Sequence, residues 1–193
     1  MPDNAVKFLA SVLFLFLSLF LLPAPAGAWP GRVIAVEEGD ALTVEPGRTK
    51  TGIRINLYGI DCPERDQPYG ARARQATADA VLGREVNVHP VDPVDPERYG
   101  NGAALVAAPG REMLNSWLVR EGLAWVCPQL CARADICDRL RELERTARES
   151  KAGLWADREP TPPWIWRQKE IPEKEGNDLP AGRTAEPGSS PRP

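Results

Sequence analysis

Two acidic residues, Asp61 and Glu64, lie three positions apart and are the first candidates for chemistry. They flank Cys62-Pro63, which interrupts regular backbone pairing because proline has no N–H to donate. Residues 53–57 before them alternate apolar with polar side chains, the pattern of a half-buried strand. Carboxylates at a strand end often hold a hard cation or an activated water. A polar turn that only closes the strand is the alternative.

The composition indicates how the chain divides into a folded domain and a tail. The 193 residues include 20 prolines and 16 glycines and carry a formal net charge of -3. The basic stripe of a dedicated nucleic-acid-binding protein is missing, so any such contact must come from a local site. Residues 29–167 have the composition of one globular domain, whereas residues 168–193 are rich in proline, glutamate, glycine and serine. We expect this tail to be disordered because it has too few apolar groups to offset chain entropy.

Residues 1–28 have the pattern of a secretory signal peptide. Lys7 precedes an apolar run over residues 8–22 that only serines interrupt, and Ala26-Gly27-Ala28 fits a cleavage site. The run is shorter than the roughly 20 residues that span a bilayer. We therefore expect an exported protein, periplasmic or secreted, without a transmembrane segment after cleavage. An uncleaved amino-terminal anchor is the alternative.

The pattern of residues 29–167 predicts a β-barrel with additional helices. Five short alternating segments are bounded by turn signals, and three longer segments carry apolar residues at helical spacing. One helix falls between the third and fourth strands, which is typical of a five-stranded OB-type barrel, here with three flanking helices. The predicted strands cover residues 32–36, 41–45, 53–58, 84–89 and 102–108, and the predicted helices cover 69–82, 111–121 and 135–151.

The chain has four cysteines, and in an exported protein an even number favours disulfide bonds. Cys131 and Cys137 bracket a short loop before the third predicted helix, so we expect them to form one bridge. Cys62 and Cys127 would then form the second. A zinc site that uses Cys127, Cys131 and Cys137 is the alternative, although the single histidine, His89, is distant in sequence.

Taken in order, these segments resemble the staphylococcal nuclease (thermonuclease) family over essentially all of residues 29–167. The resemblance implies a five-stranded OB barrel with three helices and a Ca²⁺-dependent phosphodiesterase that acts on DNA and RNA. The segments that carry it are Gly39-Asp40, 58–64, Pro68-Tyr69-Gly70, Arg98-Tyr99-Gly100, 118–124, Gly153-Leu154-Trp155 and 163–167.

The resemblance also implies roles for individual residues. Asp40, Asp61 and the main-chain oxygen of Cys62 would hold the Ca²⁺ ion, and Glu64 would position or activate the attacking water. These roles agree with the preference of Ca²⁺ for oxygen ligands and with the ability of a carboxylate to take or orient a proton. Single-stranded or double-stranded nucleic acid would be the partner, and we expect a monomer.

Two positions depart from the family pattern. The family carries an arginine five positions before the motif aspartate, where this chain has Asn56, and another after the Tyr-Gly of a later loop, where it has Asn101. A guanidinium would meet the phosphate with a full charge and a planar fork of donors, which asparagine lacks. Arg54 lies on the same strand face as Asn56 and would be a partial replacement; a solvated surface arginine is the alternative. We expect Arg65 and Arg98 to remain in solvent.

Two functional interpretations follow. In the first, the protein is an exported Ca²⁺-dependent nuclease whose activity is impaired by the loss of both arginines and partly rescued by Arg54. The intact set of Asp40, Asp61 and Glu64 favours this interpretation. In the second, the protein is a catalytically inactive, secreted OB-fold module that binds an ion, an oligonucleotide or a protein. The two asparagines and the lack of a basic surface favour the second.

Overall fold

The computed structural model describes residues 27–47, 49–91, 102–108, 110 and 112–169. The predicted signal peptide lies almost wholly outside these residues, as does the predicted tail, and both remain predictions. Residues 168 and 169, which the sequence placed in the tail, belong instead to a helix. Within the described ranges, no helix has the length and apolar character needed to cross a bilayer.

The strands found in the described ranges are, in chain order, β1 (Trp29–Val36), β2 (Ala41–Pro46), β3 (Ile53–Leu57), β4 (Ile60–Asp61), β5 (Glu85–Pro90), β6 (Ala103–Ala107) and β7 (Trp125–Val126). Five of them close into a barrel in the order β1-β2-β3-β6-β5, and β4 pairs separately with β7. The barrel pairs are antiparallel except for β3 with β6, which are parallel. The predicted five-stranded OB-type barrel is confirmed.

The helices of the same ranges are α1 (Gly70–Val81), α2 (Leu114–Arg120), α3 (Ala134–Glu149) and α4 (Pro163–Lys169), with a 3-10 helix over Gly153–Ala156. The sequence predicted the first three. It missed α4 because seven residues are too few to establish a helical period. Proline is favourable at the first position of α4, since the N–H that it lacks would have no partner inside the helix.

The barrel core consists of the inward-facing alternate residues of the strands, most of them β-branched, as half-buried strands require. The largest of these fully buried side chains are Val33, Leu42, Val44, Leu57, Val86, Val88 and Val106. The alternation leaves the other face of β3, which carries Arg54 and Asn56, outside the core. Packing therefore fixes β3 while its polar side chains stay accessible.

A buried amide connects the end of β3 to β6. Asn115 of α2 is 0% exposed, and its Nδ2 donates to the main-chain oxygens of Tyr58 at 3.0 Å and Ala104 at 3.2 Å. Its Oδ1 accepts the N–H of Val106 at 3.1 Å. All its polar atoms thus have partners, as a buried amide needs. This side chain therefore fixes the position of Tyr58, where the chain leaves the barrel after β3.

The chain reverses at Gly59 between β3 and β4. Gly59 has a φ of 79°, and a Cβ there would lie 2.9 Å from the Sγ of Cys131, so glycine is required by conformation and by space. The preceding Tyr58 hydroxyl accepts the N–H groups of Ala132 and Arg133, both at 2.9 Å. The reversal is therefore tied to the segment before α3, and it delivers β4 in a fixed direction.

Candidate active site

Asp40 lies at the turn between β1 and β2. Its main-chain oxygen accepts the N–H of Leu57 at 2.8 Å, and its carboxylate Oδ2 accepts the N–H of Cys62 at 2.9 Å. The pKa of Asp40 is raised to about 7, first because burial disfavours the charged form and next because Asp61 carries a like charge. A cation beside this carboxylate would favour its charged form.

Asp61 ends β4 and lies opposite Trp125 in the two-stranded ladder. Its side chain is 7% exposed. Its Oδ2 accepts a hydrogen bond from Nη2 of Arg167 at 2.8 Å, and its Oδ1 accepts one from Nη1 at 3.3 Å. Burial raises the pKa of Asp61, while the hydrogen bonds and charge of Arg167 oppose that rise. Asp61 is thus a nearly buried carboxylate whose partner is a guanidinium.

Glu64 lies in the loop that follows Cys62-Pro63, and its main chain is held on both sides. Its N–H donates to Oε1 of Gln67 at 3.1 Å. Its carbonyl oxygen lies against Gly70, where a Cβ would be only 1.7 Å away, so the first residue of α1 must be glycine. The Glu64 carboxylate accepts a hydrogen bond from Nη1 of Arg167. The start of α1 therefore fixes the loop that presents this carboxylate.

Arg167 of α4 is a site residue that sequence reasoning missed. Its guanidinium bridges Asp61 and Glu64, which precede it by 106 and 103 positions. The hydrogen bond to Asp61 raises the pKa of Arg167 still further above its ordinary value, against the effect of burial. The sequence contained Arg167 only as the last residue of the segment 163–167. The loss of an arginine at position 56 was the signal that could have prompted a search for another cation.

A polar cleft of about 270 Å³ brings several predicted residues together. Asp40 and Asp61 line it, and β3 contributes Arg54 and Asn56 while α4 contributes Arg167. Asn56 pairs with Ala41, the neighbour of Asp40, in the β2–β3 ladder. Glu38 of the β1–β2 turn also lines it, so the cleft combines three carboxylates with two guanidinium groups at the end of the barrel where β3 and β4 meet.

The predicted substitute arginines differ in their surroundings. Arg54 is exposed at the cleft, and both ion pairs recorded for Asp61 and Glu64 in the described ranges are to Arg167. Arg65 is not simply solvated, because its Nη2 donates to the carbonyl oxygen of Glu37 at 3.0 Å. Asn101 and Arg98 lie outside the described residues, so the statements about them remain predictions.

The structure contains one of the two predicted disulfides. Cys131 and Cys137 are bonded, with their Cα atoms 5.7 Å apart. The predicted bridge between Cys62 and Cys127 is wrong, since both thiols are free and buried. Just beyond the β4–β7 ladder, the N–H of Cys127 donates to the main-chain oxygen of Gly59 at 3.0 Å. Gly59 lies three residues from Cys62, and three residues of extended chain span about 10 Å. That separation exceeds the roughly 7 Å between Cα atoms that a disulfide tolerates.

The zinc alternative is also wrong, because Cys131 and Cys137 are consumed by the disulfide. Burial, and next the charge of Asp40, hold the pKa of the Cys62 thiol well above its usual value. In the part of the chain that the structure describes, no group of three or more His, Cys, Asp or Glu side chains is arranged to hold a metal ion. The predicted Ca²⁺ site differs from such a group, since it combines two carboxylates with a main-chain oxygen.

The closed five-stranded barrel with flanking helices and an acidic cleft at one end places the protein in the class of OB-type domains. The pattern of the family described as staphylococcal nuclease homologue matches residues 54–157, and the chain belongs to that family.

Several relatives carry nuclease names. The chain is 35% identical over 170 residues to an "Uncharacterized endonuclease" of Escherichia coli O157:H7, a match that covers 84% of this chain and 98% of that protein. It is 34% identical over 159 residues to a "Micrococcal nuclease" of Shigella flexneri, a match that covers 78% of this chain and 87% of that protein. The "Staphylococcal-like nuclease CAN1" of Arabidopsis thaliana is 34% identical over 117 residues, which cover 60% of this chain and 33% of that protein.

Proposed function

We propose that this protein hydrolyses phosphodiester bonds of DNA or RNA in a Ca²⁺-dependent reaction, more slowly than a family member that keeps both phosphate-binding arginines. One observation carries the proposal. Asp40 from the β1–β2 turn and Asp61 from β4 line one cleft, and Arg167 connects Asp61 to Glu64 from the following loop. Membership of the nuclease family supports the same chemistry.

The residues of the cleft fit a calcium ion. Ca²⁺ takes oxygen ligands in irregular geometry, and Asp40 and Asp61 supply carboxylate oxygens to the same space. The like charge of Asp61 contributes to the raised pKa of Asp40, and a divalent cation would relieve that repulsion. Proteins of this family generally use calcium. We assign the main-chain oxygen of Cys62 as a third ligand, with water and substrate oxygens completing the shell.

In this proposal Asp40 and Asp61 hold the ion, which supplies polarisation of the phosphoryl group and charge to offset the transition state. Glu64 orients the attacking water and takes its proton as the water oxygen bonds to phosphorus. One P–O ester bond breaks, and the leaving oxygen takes a proton from solvent. Arg54 adds positive charge at the cleft, whereas Asn56 offers only an amide dipole. The extra negative charge of the pentacoordinate state is therefore stabilised less well, and turnover is slower.

Hydrolysis in the presence and absence of calcium tests the proposal. We expect the purified protein to cleave DNA or RNA slowly in Ca²⁺, to stop in EDTA and to recover when Ca²⁺ is added back. The variants Asp40→Asn and Asp61→Asn should lose the calcium dependence together with the activity, because each removes a charged ligand. Equal cleavage in Ca²⁺ and EDTA, or no cleavage in either, would contradict the proposal.

Calcium should also stabilise the fold. A ligand that binds only the native state at 100 times its Kd contributes about 2.7 kcal/mol, which raises the melting temperature of a domain of this size by roughly 5–10 °C. The measurement is thermal unfolding in saturating Ca²⁺ against EDTA. Mg²⁺ is the matched control ion and should stabilise less, because it demands octahedral geometry and gives up water reluctantly. An unchanged melting temperature in Ca²⁺ would count against an ion site at Asp40 and Asp61.

We further propose that the protein is exported, to the periplasm or the medium, after removal of residues 1–28, and that it is a monomer. The Cys131–Cys137 disulfide supports export, because such bonds persist in oxidising compartments. Amino-terminal sequencing of the exported protein should begin at Trp29. A product that retains residues 1–28 would contradict cleavage, and a dimer mass in light scattering would contradict the monomer.

A binding module without catalysis is the second candidate, and one observation favours it. Arg167 occupies both carboxylate oxygens of Asp61, and Asn56 stands where the family carries an arginine. Such a protein would bind an oligonucleotide without turnover. The natural protein and the double variant Asn56→Arg with Asn101→Arg, compared in Ca²⁺, separate the candidates. If the natural protein cleaves slowly and the double variant cleaves faster, the binding-module candidate is wrong; if only the double variant cleaves, the impaired nuclease is wrong. A natural protein that already cleaves as fast as the double variant contradicts both.

A further inference from the structure

The contact of Arg167 with two carboxylates conflicts with the roles proposed for Asp61 and Glu64. An ion ligand and a water-activating base both need accessible oxygen lone pairs. Arg167 instead donates to both oxygens of Asp61 and to one oxygen of Glu64. Each oxygen keeps a second lone pair, but the positive guanidinium repels a cation at the same carboxylate, so Ca²⁺ and Arg167 compete for Asp61.

The backbone that carries Arg167 is fixed. The neighbouring Trp166 donates from Nε1 to the carboxylate of Asp66 at 3.3 Å. Trp164 packs edge-on against Trp125 of β7, with 5.9 Å between ring centroids. Both contacts attach α4 to the elements that present the carboxylates. If Arg167 leaves the carboxylates, its side chain is thus the part that would move, and α4 would keep it beside the cleft.

The exposure of the ion pair permits such a change. The Arg167 side chain is 49% exposed, whereas that of Asp61 is 7% exposed. The guanidinium therefore lies between a nearly buried carboxylate and solvent, at the mouth of the cleft. It can leave Asp61 without crossing the protein interior. A cation that takes over the charge of Asp61 would remove the attraction that keeps the guanidinium there.

The geometry of the contact suits an oxyanion with paired oxygens. Two guanidinium nitrogens of Arg167 meet the two oxygens of Asp61. The two non-bridging oxygens of a phosphodiester present a similar target, and the planar fork of arginine matches both. Asn56, which lines the same cleft, offers no charge. Arg167 is therefore a guanidinium that already binds an oxyanion in the cleft that Asn56 lines.

We propose that Arg167 is a catalytic residue that binds the scissile phosphate, and that it rests on Asp61 and Glu64 when ion and substrate are absent. This inference rests on the proposed function. On loading, the guanidinium exchanges carboxylate oxygens for phosphate oxygens, and no covalent bond forms or breaks in that exchange. The exchange frees Asp61 for the ion and Glu64 for the water, and it supplies the positive charge that Asn56 lacks.

Binding measurements on Arg167→Gln test this without relying on turnover. Calcium should bind the variant about fivefold more tightly or better, because a competitor for Asp61 has been removed. An oligothymidylate with slowly cleaved phosphorothioate linkages, titrated in Ca²⁺, should bind about tenfold more weakly or worse, because a charged hydrogen-bond donor to phosphate is lost. Lys169→Gln is the matched control: it removes one positive charge from the same exposed helix and should change neither affinity. A merely structural arginine would weaken both.

Activity gives a second readout. Arg167→Gln should lower the rate by ~10³-fold or more, as for other arginines that stabilise phosphoryl transfer. Arg167→Lys should lose less, because it keeps the charge and loses the fork. Adding Asn56→Arg to Arg167→Gln should restore part of the rate, since it returns a guanidinium to the same cleft. If Arg167 were only structural, Arg167→Gln would instead lower the melting temperature, and Asn56→Arg would not restore the rate.

Two results would overturn the role of Arg167. One is that Arg167→Gln binds the oligonucleotide and cleaves nucleic acid as the Lys169→Gln control does. The other is that Asn56→Arg fails to rescue a variant whose melting temperature is unchanged. If the wild-type protein does not cleave in Ca²⁺, the proposed function fails instead. The oligonucleotide affinities of Arg167→Gln and Lys169→Gln then still decide whether Arg167 binds phosphate: equal affinities would refute it, and a selective loss would support it.

Discussion

Replacing Glu64 by glutamine should lower the rate of Ca²⁺-dependent hydrolysis by ~10²–10⁴-fold, the usual contribution of a general base. Glutamine keeps the size of the side chain and one acceptor oxygen for Nη1 of Arg167, but it cannot take the proton of the attacking water. Because glutamine has the same size and keeps an acceptor for Arg167, the replacement should change the stability little. The measurement is kcat on DNA and RNA in Ca²⁺, beside a thermal melt of the same preparation.

Asp66→Asn is the matched control for Glu64→Gln. It removes one negative charge from the same loop and leaves an oxygen that accepts the Nε1–H of Trp166. Its rate should equal that of the wild-type protein. If both variants lose activity equally, the charge of the loop rather than proton transfer is responsible. If Glu64→Gln cleaves at the wild-type rate, Glu64 is not the base.

The acidic half of the cleft could be predicted from the sequence because its signals are local. Asp40 follows a glycine at a turn between two alternating segments, and Asp61 and Glu64 lie around a proline that ends a strand. Arg167 could not be predicted in this way. Its contacts join residues 106 and 103 positions apart and depend on where a helix of seven residues packs against the domain. Short sequence patterns contain no information on that packing position.

The fold shows the same division between local and long-range information. The five barrel strands were predictable because each alternates apolar with polar residues between turn signals. The second disulfide was wrong because it depended on the register between β4 and β7. That register pairs Ile60 with Val126, and Asp61 with Trp125. Cys62 and Cys127 consequently lie beyond opposite ends of the ladder, although each is close to the acidic motif in sequence or in space.

Asn56→Arg is the single substitution that should raise the activity most. Asn56 lines the cleft beside Asp40 and Asp61, and its neighbour in the ladder is Ala41. A guanidinium at this position would face the reacting phosphate from β3 while Arg167 approaches from α4. Losing such an arginine costs ~10³–10⁵ in rate in phosphoryl transfer. We expect a gain of only about 10²-fold, because Arg167 already supplies one positive charge and such contributions are not additive.

Asn87→Arg is the matched control for that gain. Asn87 is exposed on β5, where it pairs with Pro30 and Ala107, so the variant adds the same charge to the barrel away from the cleft. It should raise general attraction for nucleic acid and its salt dependence but leave kcat unchanged. The comparison is kcat of both variants at saturating substrate. If Asn56→Arg is no faster than Asn87→Arg, the slow turnover does not come from the missing strand arginine, and Arg54 and Arg167 already supply the positive charge that turnover needs.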